Sequence, residues 1–234
     1  MSVTKKQVVN RLLGGLPHKE LERILDTCEI VNIEAGDVLC EPEQAMGYVY
    51  FPTTSFISIV AKLSGHEPLE MALIGNEGML GVTLILGINA APLHAVVQGS
   101  GRALRVSSGE FQLILSESDA LRNTLNNYIY IMLAQLSQTA ACMHFHEIEP
   151  RLAHWLLMIH DRAHGNHFHL THECLARMLG VRRSGITIAA GALQQRKLIQ
   201  YTRGEISILD RKGLEAVACE CYKAVINDYA QLLN

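Results

Sequence analysis

Two groups of residues in this chain could do chemistry. The first is rich in imidazole: eight of the eleven histidines lie between His144 and His172. His160 and His164 are four residues apart, a spacing that on a helix can bind a metal ion. His167, His169 and His172 follow shortly after. No carboxylate or cysteine ligand set completes a site, so the stretch reads as polar surface on a connector, and neither metal nor cofactor is assigned. The six cysteines (Cys28, Cys40, Cys142, Cys174, Cys219, Cys221) lack the spacing of a disulfide framework. Cys219 and Cys221 are read as lying on the last helix, where side chains two apart diverge.

The second group is Arg183, Ser184, Thr187, Ile188 and Gly191, which share one face of a helical stretch. Arg183 can make paired hydrogen bonds to guanine O6 and N7, worth about 1–3 kcal/mol of discrimination. Ser184 and Thr187 can bond several base edges, and Ile188 can touch a thymine methyl. Thr171, Arg182 and Arg203 are candidates for phosphate contacts, which position a protein without reading sequence. Arg196 and Lys197 either add to these or form a solvated helix end.

These residues need a scaffold, and residues 170–209 provide one. Thr171 is a good N-cap, and Leu170 and Leu175 stand at staple positions. Leu175, Met178 and Leu179 form a buried stripe, and Gly180 falls where a left-handed C′ residue is wanted. A second helix, Arg183 to Lys197, buries Ile186, Ala189, Ala190 and Leu193. Two strands follow, Leu198–Thr202 and Glu205–Leu209, around an Arg203-Gly204 turn. Helix, turn, helix and hairpin make a winged helix-turn-helix, which places one helix in a DNA major groove. The helix pair alone would suit any α domain; the hairpin and the local charge favour DNA. Residues 171–212 carry eight Arg and Lys against three Asp and Glu, although the whole chain of 234 residues has a net charge of −3. A basic module on an acidic chain suits a polyanion partner.

With 49% hydrophobic and 18% charged residues, the chain should be globular and not disordered. It has neither an apolar run long enough to cross a bilayer nor a signal-like N-terminus, so a cytoplasmic protein with reduced thiols and no membrane partner is expected. Pro17 opens a helix with Leu21, Ile24, Leu25 and Cys28 at helical spacing. Short period-two segments then run from Ile30 to Val106, punctuated by Gly, Pro and Asn, which suggests a β-roll or barrel. Ser108 is read as the cap of a short helix. From Ser118 to about Phe145 there is no Gly or Pro, and Leu125, Ile129, Met132, Leu136, Thr139 and Met143 recur with heptad spacing. This seam suggests a dimerisation helix, although part of it could pack on its own β domain. Pro150 is expected to break the helix before Arg151–Ala163. No nucleophilic triad, paired-carboxylate site or P-loop spacing appears, so an enzyme is not expected.

Short helix, β-roll, heptad helix and winged helix-turn-helix, in this order, resemble the Crp/Fnr family of bacterial transcription regulators. The motifs that carry the resemblance are residues 170–183, Gly191-Ala-Leu-Gln194, 208–215 and Gly75-Asn76-Glu77-Gly78. It implies an α+β chain with three parts: a cyclic-nucleotide-binding-like β-roll sensor (1–118), a dimerisation helix (119–147) and the DNA-binding domain (148–234). It further implies a homodimer on a palindromic operator in double-stranded DNA, with RNA polymerase as a second partner. The family's Arg, Glu and Arg readers are here Arg183, Ser184 and Ile188, so the operator should depart from the best-known consensus. The nucleotide-holding Arg-Ser/Thr-Ala is replaced by Leu93-His94-Ala95, and no Lys or Arg occurs between Lys62 and Arg102. A buried phosphate without a cation would be costly. An effector other than cyclic AMP, or none, is therefore expected. With Cys28 and Cys40 standing alone, an N-terminal iron–sulphur cluster is not expected either. The rival reading is an effector-binding or protein-interaction module whose winged helix docks a protein, which Ile188 on the outer face would suit.

Overall fold

In the computed structural model, residues 10–163 and 165–233 are described. His164 lies outside them, so the proposed His160–His164 pair is not addressed. The chain forms two compact units: one comprises residues up to Ser58, Ile74–Ile131 and the segment from Tyr229 on, the other Ile59–Leu73 and Met132–Asp228.

The first unit begins with α1 (Arg11–Gly14) and α2 (His18–Thr27). Asn10 caps α1 by accepting from the Leu13 N–H, and its amide donates to the carbonyls of Pro52 and Gly78. Seven strands follow: β1 (Glu29–Ile33), β2 (Val38–Cys40), β3 (Tyr48–Pro52), β4 (Phe56–Ala61), β5 (Leu69–Ile74), β6 (His94–Gly99) and β7 (Gly101–Ser107). They make two sheets, ordered β1-β7-β3 and β2-β6-β4-β5. Of these strands, the second half of β4 and all of β5 except Ile74 fall in the second unit, with the turn joining them. Val49, Phe51, Ile57, Ala103, Leu104 and Val106 are buried in the core, with both faces of β3 and β7 covered in places.

Helix α3 (Ser108–Glu117) differs from expectation at its start: the cap is Ser107, which accepts from the Glu110 N–H, while the Ser108 hydroxyl donates to the Met46 carbonyl. Adjacent serines gave no basis for choosing between them. Helix α4 (Asp119–Phe145) follows. The break after it comes at His146–Glu147, not at Pro150. Pro150 instead lies in the first turn of α5 (Ile148–Ala163), where a helix makes no use of the missing N–H.

The rest of the second unit contains β8 (His167–His169), α6 (His172–Leu179), α7 (Arg183–Gln195), β9 (Ile199–Thr202), β10 (Glu205–Ile208), α8 (Arg211–Val217) and α9 (Cys221–Leu232), the last ending in the first unit. Strand β8 was not anticipated. It pairs antiparallel with β10, so the sheet order is β8-β10-β9. A three-residue strand carrying two histidines has neither the length nor the composition that signals a strand. No helix among the described residues is long and apolar enough to cross a membrane.

Candidate nucleic-acid interface and a thiol–imidazole cluster

The sequence of α6, turn and α7 dictates its own geometry. Thr171 caps α6 by accepting from the Cys174 N–H at 3.2 Å. Gly180 ends it in the left-handed region at φ 63°, where a side chain would be strained and would also meet Leu69. Arg182 is the N-cap residue of α7. Ile186, Ala189, Ala190 and Leu193 are buried, which leaves Arg183, Ser184, Thr187, Ile188 and Gly191 exposed together. Ile188 is 74% exposed. A Cβ added at Gly191 would meet nothing, whereas one at Gly185 would collide with Ile148. The two glycines therefore serve different ends: Gly185 lets the start of α5 approach, and Gly191 keeps the outer face low.

Of the phosphate candidates, Arg182 directly precedes α7, Thr171 caps α6 and Arg203 lies in the turn of the wing. Thr171, Arg182 and Arg203 are all exposed. Arg203 and Gly204 form the hairpin turn with φ of 52° and 90°, the paired positive angles of a type I′ turn. The Gly204 backbone rests against the His169 ring. Arg196, in contrast, ion-pairs with Glu149 at 3.0 Å, which favours a structural role for it at the helix end.

Several histidines prove to be built in. His172 stacks on Tyr201 of β9 at 4.1 Å between centroids, and its Nδ1 lies 3.0 Å from the Thr187 hydroxyl. Burial, then the nearby Arg183 charge, hold its pKa below the usual imidazole range. The ring thus joins α6, α7 and the wing. His167 and His169 both bond Glu205, at 2.7 Å each, across the β8–β10 pair. His160 lies against Arg211, which also pairs with Asp161 at 2.7 Å and Glu215 at 2.8 Å and donates to the Tyr222 hydroxyl. Apart from the Arg211–Glu215 pair four residues apart, these contacts are distant in sequence and had no local signal.

The cysteines require a correction. Cys219 and Cys221 do not share a helix: α8 ends with Ala218 in an extended conformation, and α9 starts at Cys221. In this non-helical junction the two side chains need not diverge, and both turn toward Cys142 near the end of α4. Cys142, Cys219 and Cys221 are buried, and their sulfurs and one nitrogen of His146 all lie within 4.8 Å of one another. The sulfurs of Cys142 and Cys219 are 3.7 Å apart, and Cys221 Sγ is 3.4 Å from His146 Nδ1. Beside them is a cleft of about 90 Å³ lined by Gln135, Gln138, Cys142, His154 and Trp155.

On the dimerisation seam, Leu125 and Met132 are buried within the single chain, at 0% and 8% exposure. Ile129, Leu136, Thr139 and Met143 are partly exposed. Among the most open apolar side chains of α4, Tyr130 and Leu133, both 61% exposed, lie one position beyond seam residues Ile129 and Met132, and Phe145 is exposed at the helix end.

Comparisons agree with this architecture. Residues 150–217 match the family model described as the Crp-like helix-turn-helix domain. A search of curated proteins returned no match. Among solved structures, FixK2 from Bradyrhizobium japonicum is similar with a TM-score of 0.70 at 14% identity, over 82% of this chain and 98% of that one. A Crp/Fnr-family regulator from Eubacterium rectale gives a TM-score of 0.68 at 17% identity, over 88% and 96%. Another from Thermus thermophilus gives 0.65 at 21%, over 81% and 98%. The fold is therefore that of the Crp/Fnr regulators: a β-roll, a long helix and a C-terminal helix-turn-helix. Residues 150–217 thus carry a Crp-like helix-turn-helix domain, within a chain whose fold is shared with Crp/Fnr regulators.

Proposed function

We propose that this regulator binds a two-fold-symmetric operator as a homodimer, reads it with Arg183, Ser184, Thr187 and Ile188, and passes the signal to RNA polymerase. The observation that carries the reading is the shared exposed face of α7, with Thr171, Arg182 and Arg203 exposed as well. Two such helices enter successive major grooves about 34 Å apart. The dimer contact runs along α4, through Ile129, Leu136, Thr139 and Met143 together with Tyr130 and Leu133. Leu125 and Met132 contribute by stiffening the helix from within.

The β-roll answers to something other than cyclic AMP, if it answers to a small molecule at all. Its Gly75–Gly78 segment is already occupied by the chain itself. Asn76 accepts from the Arg11 N–H, and Glu77 accepts from the Gly75 N–H. Gly78 lies directly against the Tyr128 ring. In sequence, no Lys or Arg occurs between Lys62 and Arg102 to meet a phosphate there.

Selection of bound sites from random and genomic DNA, with and without cell metabolites, tests symmetry, sequence and ligand dependence together. Arg183→Ala should weaken binding to the selected site by about 1–3 kcal/mol and leave binding to random DNA nearly intact. Equal loss on both would remove Arg183 from the base-reading set. Recovery of no DNA site, with capture of a protein through α7, would favour the docking alternative.

A further inference from the structure

We propose that Cys142, His146, Cys219 and Cys221 bind a single zinc ion in tetrahedral geometry. Four donors converge here from two places 73 residues apart in sequence, the foot of α4 and the α8–α9 junction. Their spacing is that of a coordination sphere. Zinc binds sulfur at about 2.3 Å and imidazole nitrogen at about 2.0–2.1 Å. A tetrahedron with those bond lengths has sulfur–sulfur edges of about 3.8 Å and sulfur–nitrogen edges of about 3.5 Å. The observed separations are 3.7 Å for Cys142–Cys219 and 3.4 Å for Cys221–His146.

The donor set selects the ion. Three thiolates and one imidazole suit a borderline-soft ion with no preference beyond tetrahedral. Donors gathered this closely centre on one ion, whereas the thiolates of an iron–sulphur cluster attach to different irons.

The surroundings are those of a ligand set. His146 presents Nδ1 to the sulfurs and bonds the Glu220 carboxylate through Nε2 at 3.2 Å. That bond fixes the tautomer that leaves Nδ1 free to ligate, the usual arrangement for a metal-binding histidine. Gln138 donates its amide to Cys221 at 3.0 Å, and His154 Nδ1 lies 3.6 Å from Cys219. Both can stabilise thiolate charge. The histidine side remains open enough to admit an ion: His146 is 22% exposed and Glu220 79%. Binding would release thiol protons and staple the foot of α4 to the C-terminal helices.

The test uses the full chain with Cys28, Cys40 and Cys174 changed to serine, so that only these three thiols remain. After chelation and reduction, cobalt(II) should bind at one ion per chain. Its visible bands should be the intense ones of tetrahedral coordination, with thiolate charge-transfer absorption that zinc then abolishes. Cys221→Ser should abolish the charge-transfer pattern or weaken zinc binding at least 100-fold. Glu220→Gln should weaken it about 10–100-fold with the fold, judged by circular dichroism, unchanged. Sub-stoichiometric binding by the reduced serine variant, or octahedral cobalt without thiolate absorption, would overturn the proposal. So would purified protein whose intact mass shows a Cys142–Cys219 disulfide that re-forms in the presence of zinc.

Discussion

At the scale of single residues, the exposed face of α7 was legible because a helix repeats every 3.6 residues and its buried side is apolar. Ile186, Ala189, Ala190 and Leu193 defined the inner face, and Arg183, Ser184, Thr187 and Ile188 followed by elimination. The same logic gives Gly191 a sharp test. Gly191→Ala should raise helix stability by about 1 kcal/mol, seen as a higher melting temperature, since a Cβ there meets nothing in the free chain. If DNA backbone or bases pass close to this position, the more stable variant should bind the operator less tightly. Unchanged affinity would place DNA away from this part of α7. What residue-by-residue reading could not reach was His172. Its partners, Tyr201 and Thr187, lie 29 and 15 positions away, and only the packed domain brings them together. The zinc candidates were hidden for the same reason, and also because no Gly or Pro marks the end of α8.

At the scale of elements, period was a better guide than composition. The period-two stretch from Ile30 to Val106 carries strands β1 to β7, and the wing strands lie within a residue of their expected bounds. The β8 strand was missed because its pairing is tertiary: a three-residue segment becomes a strand only when β10 lies beside it. Helix α4 shows what a heptad pattern can and cannot decide. It locates an apolar stripe but does not say whether the chain or its copy covers it. Leu125 is covered by the chain itself, which leaves Tyr130 and Leu133 exposed on the adjoining strip. Leu133→Glu should therefore raise the dimer dissociation constant at least tenfold, about 1.4 kcal/mol, without unfolding the chain. Sedimentation equilibrium measures the first and circular dichroism the second. A variant as dimeric as the parent would move the interface off this strip.

At the scale of the whole molecule, charge is segregated along the sequence. The helix-turn-helix and wing are basic in a chain whose net charge is −3. Affinity for DNA should fall steeply with salt, because each phosphate neutralised releases counterion. On the proposed reading, Arg182 and Arg203 from each of two protomers would make four phosphate contacts, a slope of about −3.6 in log affinity against log salt. Arg203→Ala should flatten that slope by about 2 per dimer, and a plot of affinity between low and moderate salt reads it directly. A slope near zero would contradict polyanion binding altogether. The order of the three parts was legible at this scale. The division into compact units was not: the second unit takes in the β4–β5 turn and the lower half of α4, an association that depends on contacts and leaves no mark in composition.

The wing has a consequence for the time a complex lasts. Strand β8 anchors the hairpin from its far edge, His169 supports Gly204, and both turn residues already hold positive φ. Arg203 is therefore presented on backbone that has little freedom left to lose when DNA arrives. A contact that needs no ordering at encounter contributes its full strength to holding the complex together. Its effect should appear chiefly in how slowly the protein leaves the operator, not in how quickly it finds it.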